Sequence, residues 1–449
     1  MAPRGGAVKV AFIAMSGVRA FNEDLVLFGW SLPGFAERAA TISSLPSLGL
    51  LTLAGMTPAE HDVSYHEIAD INALPSLPRC DVAAISTLTA QAKDAYDLAD
   101  RYRAAGVPVV LGGLHATALP DEAAQHADAI VVGEGELSWP AVMEDLAAGR
   151  LKPRYEPCGR EFDLADAPMP RFDLLDPQRY NRLTVQTQRG CPWRCQFCAS
   201  SIMLTQRYKL KPIAKVIDEI HAIKKVWAEP FIEFADDNTF VNKRHSRELM
   251  RALAPERIRW FTETDVSVAD DPELLKLIHD AGCAQVLIGL ESPTSDGVSG
   301  VELRHDWKKG RAASYREAID RIQSAGITVN GCFVLGLDTD GPEVFDAVAE
   351  FVEDSGLAEV QITVQTPLPG SALYDRLKDE GRLLYDGEWE RFTLFDVTFE
   401  PKGMAVAALE QGLRELGARL YTPEARRQRI RSFMNQARRG RRASKAGTP

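Results

Sequence analysis

Three cysteines crowd into one short run, Gln188-Arg-Gly-Cys-Pro-Trp-Arg-Cys-Gln-Phe-Cys198, and no other stretch constrains the chain as much. Cys191, Cys195 and Cys198 can meet without long-range folding, so their thiolates can wrap one metal centre. Thiolates are soft ligands that select iron–sulfur, zinc or copper(I). The run Arg182–Gln188 just before them predicts a strand, broken by Gly190 and Pro192. The ligands therefore fall on a loop at the C-terminal end of a strand, where barrel-like α/β proteins keep their chemistry. Structural zinc is the competing reading, with Cys158, Cys283 or Cys332 as fourth ligand. Such sites show paired Cys knuckles, and no second knuckle occurs here.

Length and charge set the frame. A chain of 449 residues has room for about three domains, or one large and one small. Its formal net charge of −11 does not favour a nucleic-acid partner. No apolar run reaches membrane-spanning length, and Met1–Val8 lacks the apolar core of a signal peptide. Seven cysteines, three of them clustered, do not form a disulfide framework, which predicts a reducing, cytoplasmic setting.

Residues 1–150 alternate strand and helix. Strands are predicted at Val8–Ala14, Asp62–Glu67, Asp81–Ser86, Val107–Leu111 and Ala129–Val132. Helices are predicted at Pro46–Met56, Gln91–Ala105 and Trp139–Ala148. This rhythm implies an α/β fold with a doubly wound parallel sheet, which binds ligands beyond the C-terminal strand ends. Those ends carry Ser16-Gly17, Ser86-Thr87, Gly112-Gly113 and Gly133-Glu134, small residues that admit a ligand close to the backbone. No Gly-x-Gly-x-x-Gly follows the first strand, so a dinucleotide is not expected. Residues 151–180 are dotted with prolines and read as an interdomain linker, in which Cys158 is incidental.

From residue 181 to 370 the rhythm resumes with six predicted strands: Leu183–Gln188, Phe231–Ala235, Trp260–Asp265, Gln285–Leu290, Thr328–Leu335 and Glu359–Thr366. Eight would close a barrel, so six imply a partial one. Polar residues gather at the strand ends: Asp236 and Asp237, Glu263 and Asp265, Glu291 and Ser292, and the run Gly331–Asp338 with Gly336. A carboxylate accepts two hydrogen bonds from a ribose diol and suits an ammonium equally well. Helix capping is the plainer role for paired carboxylates. Cys283 and Cys332, in apolar runs, read as buried core thiols.

The Cys-x3-Cys-x2-Cys spacing resembles the radical S-adenosylmethionine (SAM) superfamily. Leu111-Gly-Gly-Leu-His-Ala-Thr117 and Ile130-Val-Val-Gly-Glu-Gly-Glu136 resemble the cobalamin-binding domain of its cobalamin-dependent members, as do Ser47–Ala54 and Ser86–Gln91. The resemblance runs from Lys9 to about Lys402. It implies that Cys191, Cys195 and Cys198 hold a 4Fe–4S cluster whose open iron binds SAM, which one-electron reduction cleaves to a 5′-deoxyadenosyl radical. It places the SAM amino group at Ala235–Asp237, the ribose at Glu291 and the adenine against Gly331–Gly336, with Glu263 and Ser292 alongside. It places a corrinoid against Ser86, Thr87, Gly112, Gly113, His115, Gly133 and Glu134. The Asp-x-His-x-x-Gly motif that supplies a cobalt ligand in methionine-synthase-like proteins is absent, so His115 is not read as one.

Residues 371–449 are expected to form a small helical segment that closes the open side of the barrel. The arginine-dense end, Arg426–Lys445, reads as a solvated helix and frayed tail. The resemblance implies transfer of a methyl group from methylcobalamin to an unactivated carbon of a small molecule, with a flavodoxin or ferredoxin as electron donor. Two alternatives remain at this point: a cyclase or rearrangement enzyme with the same cofactors, and a corrinoid carrier without catalysis. No residue is assigned as catalytic.

Overall fold

The computed structural model describes residues 7–16, 20, 45–157, 159–199 and 207–446. Gly17 and Cys158 lie outside these residues. Two six-stranded parallel sheets and a short antiparallel ribbon organise the described chain.

The first sheet has the order β2-β1-β3-β4-β5-β6. Its strands are β1 (Lys9–Met15), β2 (Asp62–Ile68), β3 (Val82–Ser86), β4 (Val109–Gly112), β5 (Ala129–Val131) and β6 (Arg154–Tyr155). Apolar side chains alternate between two cores because successive side chains leave a strand on opposite faces. Ala11, Ile13 and Ile85 meet helix α2 (Ala92–Ala104) on one face. Val10, Phe12 and Ala84 meet α1 (Leu48–Met56) and α5 (Gly135–Ala147) on the other. Burial on both faces is why β1 reads as a continuous apolar run. The Phe12 and Trp139 rings pack 5.2 Å apart, and burying such a side chain is worth about 1.5–3 kcal/mol.

Three departures from expectation have local causes. Short helices α3 (Leu114–Ala118) and α4 (Pro120–Ala123) follow β4, too brief for a periodic signal. Helix α5 begins at Gly135, before Trp139, and carries Pro140 within it, which forgoes the one intrahelical bond that a proline cannot donate. The start of the expected linker is a strand, for β6 pairs with β5 through Ile130↔Arg154 and Val131↔Tyr155.

The second sheet runs β14-β13-β12-β11-β10-β7. Its strands are β7 (Leu183–Val185), β10 (Phe231–Phe234), β11 (Arg259–Thr264), β12 (Cys283–Glu291), β13 (Thr328–Leu335) and β14 (Glu359–Val364). Helices α6 (Ile213–Val226), α7 (Lys243–Leu253), α8 (Pro272–Asp280), α9 (Trp307–Ala312), α10 (Tyr315–Ser324) and α11 (Val344–Ser355) occupy the connections. Among the described residues no ladder joins β7 to β14, so this is a partial barrel with two free edges. Strand β7 is shorter than expected. After Val185 the chain leaves the sheet, and Gln188–Arg189 (β8) pairs instead with Lys209–Leu210 (β9) as an antiparallel ribbon.

The C-terminal segment joins both halves. Helix α12 (Ala372–Asp379) starts where Leu373 N–H donates to Gln196 of the cysteine loop at 2.8 Å. Trp389 and Phe392 enter the core of the first sheet. Helix α13 (Val406–Leu420) packs beside α11, and α14 (Pro423–Ala446) packs along α10 and against β14. The arginine-rich end is therefore not a frayed tail. Ala437 and Arg429 are buried, and Arg426 reaches Glu359 at 3.7 Å. Gly440 approaches so closely that a Cβ would stand 2.0 Å from the Ser324 carbonyl.

Candidate active site

The cysteine loop leaves β8 at the C-terminal end of the second sheet, and the next two strand ends hold it. Asp236 is buried and accepts from Thr187 N–H at 2.7 Å, Gln188 N–H at 3.1 Å and the Thr239 hydroxyl at 3.0 Å. Burial pushes its carboxyl up to about 6 despite these bonds. With its acceptors so engaged, Asp236 serves the loop's base; the expected SAM contact at this residue is replaced by a structural one. Asp237 accepts from Gly190 N–H at 2.8 Å. Asp265 caps the turn after β11 through Ser267 N–H and accepts from Trp193 Nε1 and Asn238 Nδ2, each at 2.8 Å. Asn238 Nδ2 also stands 3.9 Å from Cys191 Sγ. The Trp193 and Trp307 rings stack 4.5 Å apart.

Cys195 is buried, while Cys191 and Cys198 are half-buried. Burial pushes the Cys191 thiol up to about 11, and Cys195 further, and the neighbouring Cys198 raises both. Metal ligation must deprotonate these groups, so a bound cation offsets that cost. Among the described residues no three ligating side chains close on a single-ion position. Three thiols on one eight-residue loop make a soft, all-sulfur donor set, the kind that iron–sulfur clusters take. Cys283 and Cys332 lie on strands β12 and β13 instead of completing a zinc site.

Glu291 ends β12 beside this loop. Its backbone has φ +62°, a region that costs a non-glycine residue free energy. A bulge between Gly289 and Glu291 produces the turn. Gly289 leaves room for the Glu291 carboxylate, since a Cβ there would stand 2.4 Å from Oε1 and push it aside. Lys308 Nζ donates to Glu291 Oε1 at 2.6 Å and to the Gly289 carbonyl at 2.8 Å. Burial opposes the charge on Lys308, but Glu291, and then Cys195, raise its pKa above the ordinary lysine range. Lys308 went unnoticed in the sequence because nothing in the pair Lys308-Lys309 shows which ammonium turns inward to a strand end. Ser292 turns away from the sheet, accepting weakly from Thr294 N–H at 3.5 Å, and Gly297 presses so close that a Cβ would stand 1.9 Å from its Oγ. It is not placed to meet a cofactor.

The inner face of the partial barrel is polar. Glu233 pairs with Arg182. Glu263 faces solvent within the barrel but has protein on every side; this burial, with Glu233 and Asp237 adding, pushes its carboxyl up to about 7. Cys332 shares this face beside Glu263, half-buried, and is not the core thiol its apolar neighbours implied. Past the head of β14, Gln365 is 1% exposed and neither of its amide atoms has a partner among the described residues. A buried orphan amide there can serve a polar ligand such as adenosine. Gly336 has φ +86°, and both its N–H and that of Leu337 donate to Asp340 Oδ2 at 2.9 Å. A Cβ on Gly336 would meet Leu409 at 2.8 Å and Phe399 at 2.9 Å, so its contact is with the C-terminal segment.

A cavity of about 330 Å³ opens at the strand ends of the first sheet. Ser86, Gly112, Gly113 and Gly133 line it with Leu53 of α1 and Trp139 of α5. Gly113, φ +96°, could carry no side chain, for a Cβ would stand 2.8 Å from Ser86 Oγ and from the Thr87 carbonyl. These glycine walls fit a flat aromatic group such as a corrinoid's nucleotide base. The same cavity is lined on its far side by Gln186, Arg189, Ala235 and Asp237, which follow strands β7 and β10. Thr87 is turned from it, its hydroxyl donating to the Leu88 carbonyl at 2.9 Å.

His115 is fully buried and does not face the cavity. Its Nδ1 lies 3.3 Å from the Thr89 hydroxyl and its Nε2 lies 3.2 Å from Glu122 Oε1. Glu122 Oε1 also accepts from Tyr96 at 3.0 Å and from Trp389 Nε1 at 2.9 Å. The expected corrinoid contact at His115 is thus replaced by a latch to the C-terminal segment. Burial lowers the imidazole's pKa, which outweighs Glu122. Glu134 does line the cavity, but its carboxylate pairs with Arg189 at 2.6 Å and Lys209 at 2.8 Å, and Glu136 pairs with Arg189 at 2.7 Å. Burial alone would raise Glu134; bonds from Lys209, Phe162 N–H and Arg189 hold it below the usual carboxylate range.

A glycine-lined pocket therefore lies between the strand ends of the first sheet and Arg189, which leads into the cysteine loop of the partial barrel. Family profiles match in the same order. The B12 binding domain matches residues 39–143, the radical SAM superfamily residues 185–352, and a domain of unknown function residues 371–448. The chain thus carries a radical SAM domain preceded by a B12-binding domain; the cofactors of these domains are a 4Fe–4S cluster, SAM and cobalamin.

Among curated proteins the chain is 27% identical over 391 residues to bacteriochlorophyllide d C-12(1)-methyltransferase of Chlorobaculum tepidum, covering 85% of this chain and 84% of that one. It is 26% identical over 396 residues to hopanoid C-2 methylase of Rhodopseudomonas palustris, covering 85% and 72%. Among solved structures, the radical SAM methyltransferase TsrM of Kitasatospora setae matches with a TM-score of 0.64 at 14% identity, covering 98% of this chain and all of that one. The cobalamin-dependent radical SAM enzyme OxsB matches with a TM-score of 0.63 at 15% identity, covering 87% and 65%. These two show a shared fold.

Proposed function

We propose that this protein is a cobalamin-dependent radical SAM methyltransferase that methylates an unactivated carbon of a small molecule. One observation carries the reading: a single cavity is walled by Gly112, Gly113 and Gly133 at the strand ends of the first sheet and by Gln186, Arg189 and Asp237 just past strands β7 and β10 of the second. A carrier would need no such opening onto a cluster loop. Bound together, the cluster, SAM and methylcobalamin supply a carbon-centred radical and a transferable methyl group.

The chain's own residues hold and shield these groups. Cys191, Cys195 and Cys198 anchor the cluster, while Asp237 and Asp265 brace their loop. Glu291 offers its second oxygen to the ribose while Lys308 holds the first. Gln365 offers an amide to the adenosyl group. The polar inner face, with Glu263 and Cys332, receives the substrate. A flavodoxin or ferredoxin supplies the electron. The methyltransferase relatives support methylation as the reaction.

The test is reconstituted protein with SAM, hydroxocobalamin, a low-potential reductant and candidate substrates. The expected result is 5′-deoxyadenosine together with a product heavier by one methylene unit. Deoxyadenosine with an unmethylated, ring-closed product would favour the cyclase reading, which a magnesium-protoporphyrin cyclase relative, 26% identical over 347 residues, keeps in view. No SAM cleavage at all would leave only a carrier.

A further inference from the structure

We infer that Glu134 is a positioning residue that transmits corrinoid occupancy to the cluster loop. The inference rests on corrinoid binding in the glycine-lined cavity. Strands β8 and β9 form the base of the segment that carries all three cluster cysteines. Arg189 lies on the outgoing strand, two residues before Cys191, and Lys209 lies on the returning strand. Both are tied to the same carboxylate of the other domain: Arg189 Nη1 reaches Glu134 Oε1 at 2.6 Å and Lys209 Nζ reaches its two oxygens at 2.8 and 2.9 Å. Glu136 takes the other arm of Arg189 at 2.7 Å.

The carboxylate is itself set by the cavity wall. Gly133 and Gly135, on either side of Glu134, line the cavity. Gly133 has φ +79° and nothing within 4 Å of where a Cβ would stand, so its backbone faces open space that a ligand can press against. Gly135 lets Leu53 of α1, another wall residue, come within 3.3 Å of that position. A ligand that immobilises this wall fixes the backbone of Glu134, and charge-assisted hydrogen bonds pass that constraint to both strands. Glu134 is buried, at 8% exposure, and Arg189 and Lys209 are half-buried, so releasing one cation costs a charge-assisted bond in a shielded setting and intermediate positions are disfavoured. Coupling of this kind is reciprocal, so the state of the cluster loop must equally alter corrinoid affinity.

The test is hydrogen exchange at Gln188, Arg189, Lys209 and Leu210 in full-length, cluster-reconstituted protein, with and without saturating hydroxocobalamin, alongside bound cobalamin measured by absorbance. In wild type these amides exchange several-fold more slowly when the corrinoid is bound. Glu134→Gln, compared with and without saturating hydroxocobalamin, loses the added protection. Lys209→Met, which leaves Arg189 paired, loses it at β9 and serves if the first variant fails to fold. A purely structural role would lower protection with and without ligand alike, and that result overturns the inference. It is also overturned if wild type binds cobalamin without protecting the ribbon, if both variants keep the full response, or if Glu134→Gln binds no corrinoid, which would make Glu134 a direct ligand contact. Failure of wild type to bind hydroxocobalamin would instead overturn the cofactor assignment beneath it.

Discussion

Lys308 holds Glu291 from within: its Nζ donates to Glu291 Oε1 at 2.6 Å and to the Gly289 carbonyl at 2.8 Å, one residue on the far side of the bulge. The ammonium thus stabilises both the carboxylate and the strained φ of +62° that aims it. It also neutralises the charge that Glu291 would otherwise present to Cys195. The carboxylate placed to meet the ribose is half of a buried ion pair.

Removing one partner of that pair should therefore cost more than a lost ligand contact. Glu291→Ala leaves Lys308 buried without its counter-charge, and such a loss is worth about 3–5 kcal/mol of stability. Lys308→Met should cost a similar amount, and the double variant less than the sum. Denaturant unfolding of the three variants checks this. Additive costs would mean the two groups do not sense each other.

Cys195→Ala should abolish the iron–sulfur absorbance and SAM cleavage, since three thiolates are needed to hold the cluster. The fold should survive, because the loop is also braced by Asp237, Asp265 and the bond from Gln196 N–H to the Val301 carbonyl at 2.9 Å. Iron content and circular dichroism measured together separate these outcomes. Full iron occupancy in the variant would refute the ligand assignment.

Asp340 gives a pH dependence with a definite sign. Burial raises its carboxyl from 3.8 to about 7. The folded state therefore keeps the proton after the unfolded chain has lost it. Stability from this group is fully present below pH 3.8 and is lost as pH rises to about 7. Each tenfold difference in proton affinity between the folded and unfolded chain is worth about 1.4 kcal/mol. Both N–H bonds go to a single oxygen, Oδ2, which an asparagine carbonyl can replace. Asp340→Asn should flatten the dependence and raise Tm at neutral pH. An unchanged slope of Tm against pH between the two proteins would contradict it.

Trp389→Ala should loosen the latch on the first sheet. Its ring is 5% exposed, stands 5.3 Å from His115 and donates to Glu122 at 2.9 Å. Losing a buried tryptophan costs about 3–5 kcal/mol. His115→Ala should also destabilise, by a smaller amount, yet still bind hydroxocobalamin, because the histidine does not line the cavity. Thermal melts and a cobalamin titration read both. Loss of corrinoid binding in a folded His115→Ala protein would show that the imidazole reaches the ligand.

Much of the architecture was legible because its signals are local. The apolar runs of β1, β3, β12 and β13 and the glycines after β4 and β5 locate both sheets and the strand ends that matter. The short elements α3, α4, β6, β8 and β9 were not, for each is fixed by what it pairs with and has too few residues for a period. The strand-end residues divided along the same line. Gly112, Gly113 and Gly133 line the cavity as their small size implied. Thr87, His115, Asp236 and Ser292 sit at the right places in the chain but point elsewhere, since one turn of the backbone decides whether a polar side chain faces a cavity or its own loop.

By itself the sequence located a loop for a soft metal, three thiols within eight residues, and a close-approach pocket at the glycine-bearing strand ends, both set by covalent spacing and side-chain size; which cofactors they take came from the resemblance. Only the tertiary structure decided which charges meet. Arg189 and Lys209 with Glu134, Lys308 with Glu291, and Trp389 with Glu122 are pairs separated by 17 to 267 residues along the chain. Charge pairing depends on distance in space and on burial, and neither is encoded by spacing until the two sheets have packed.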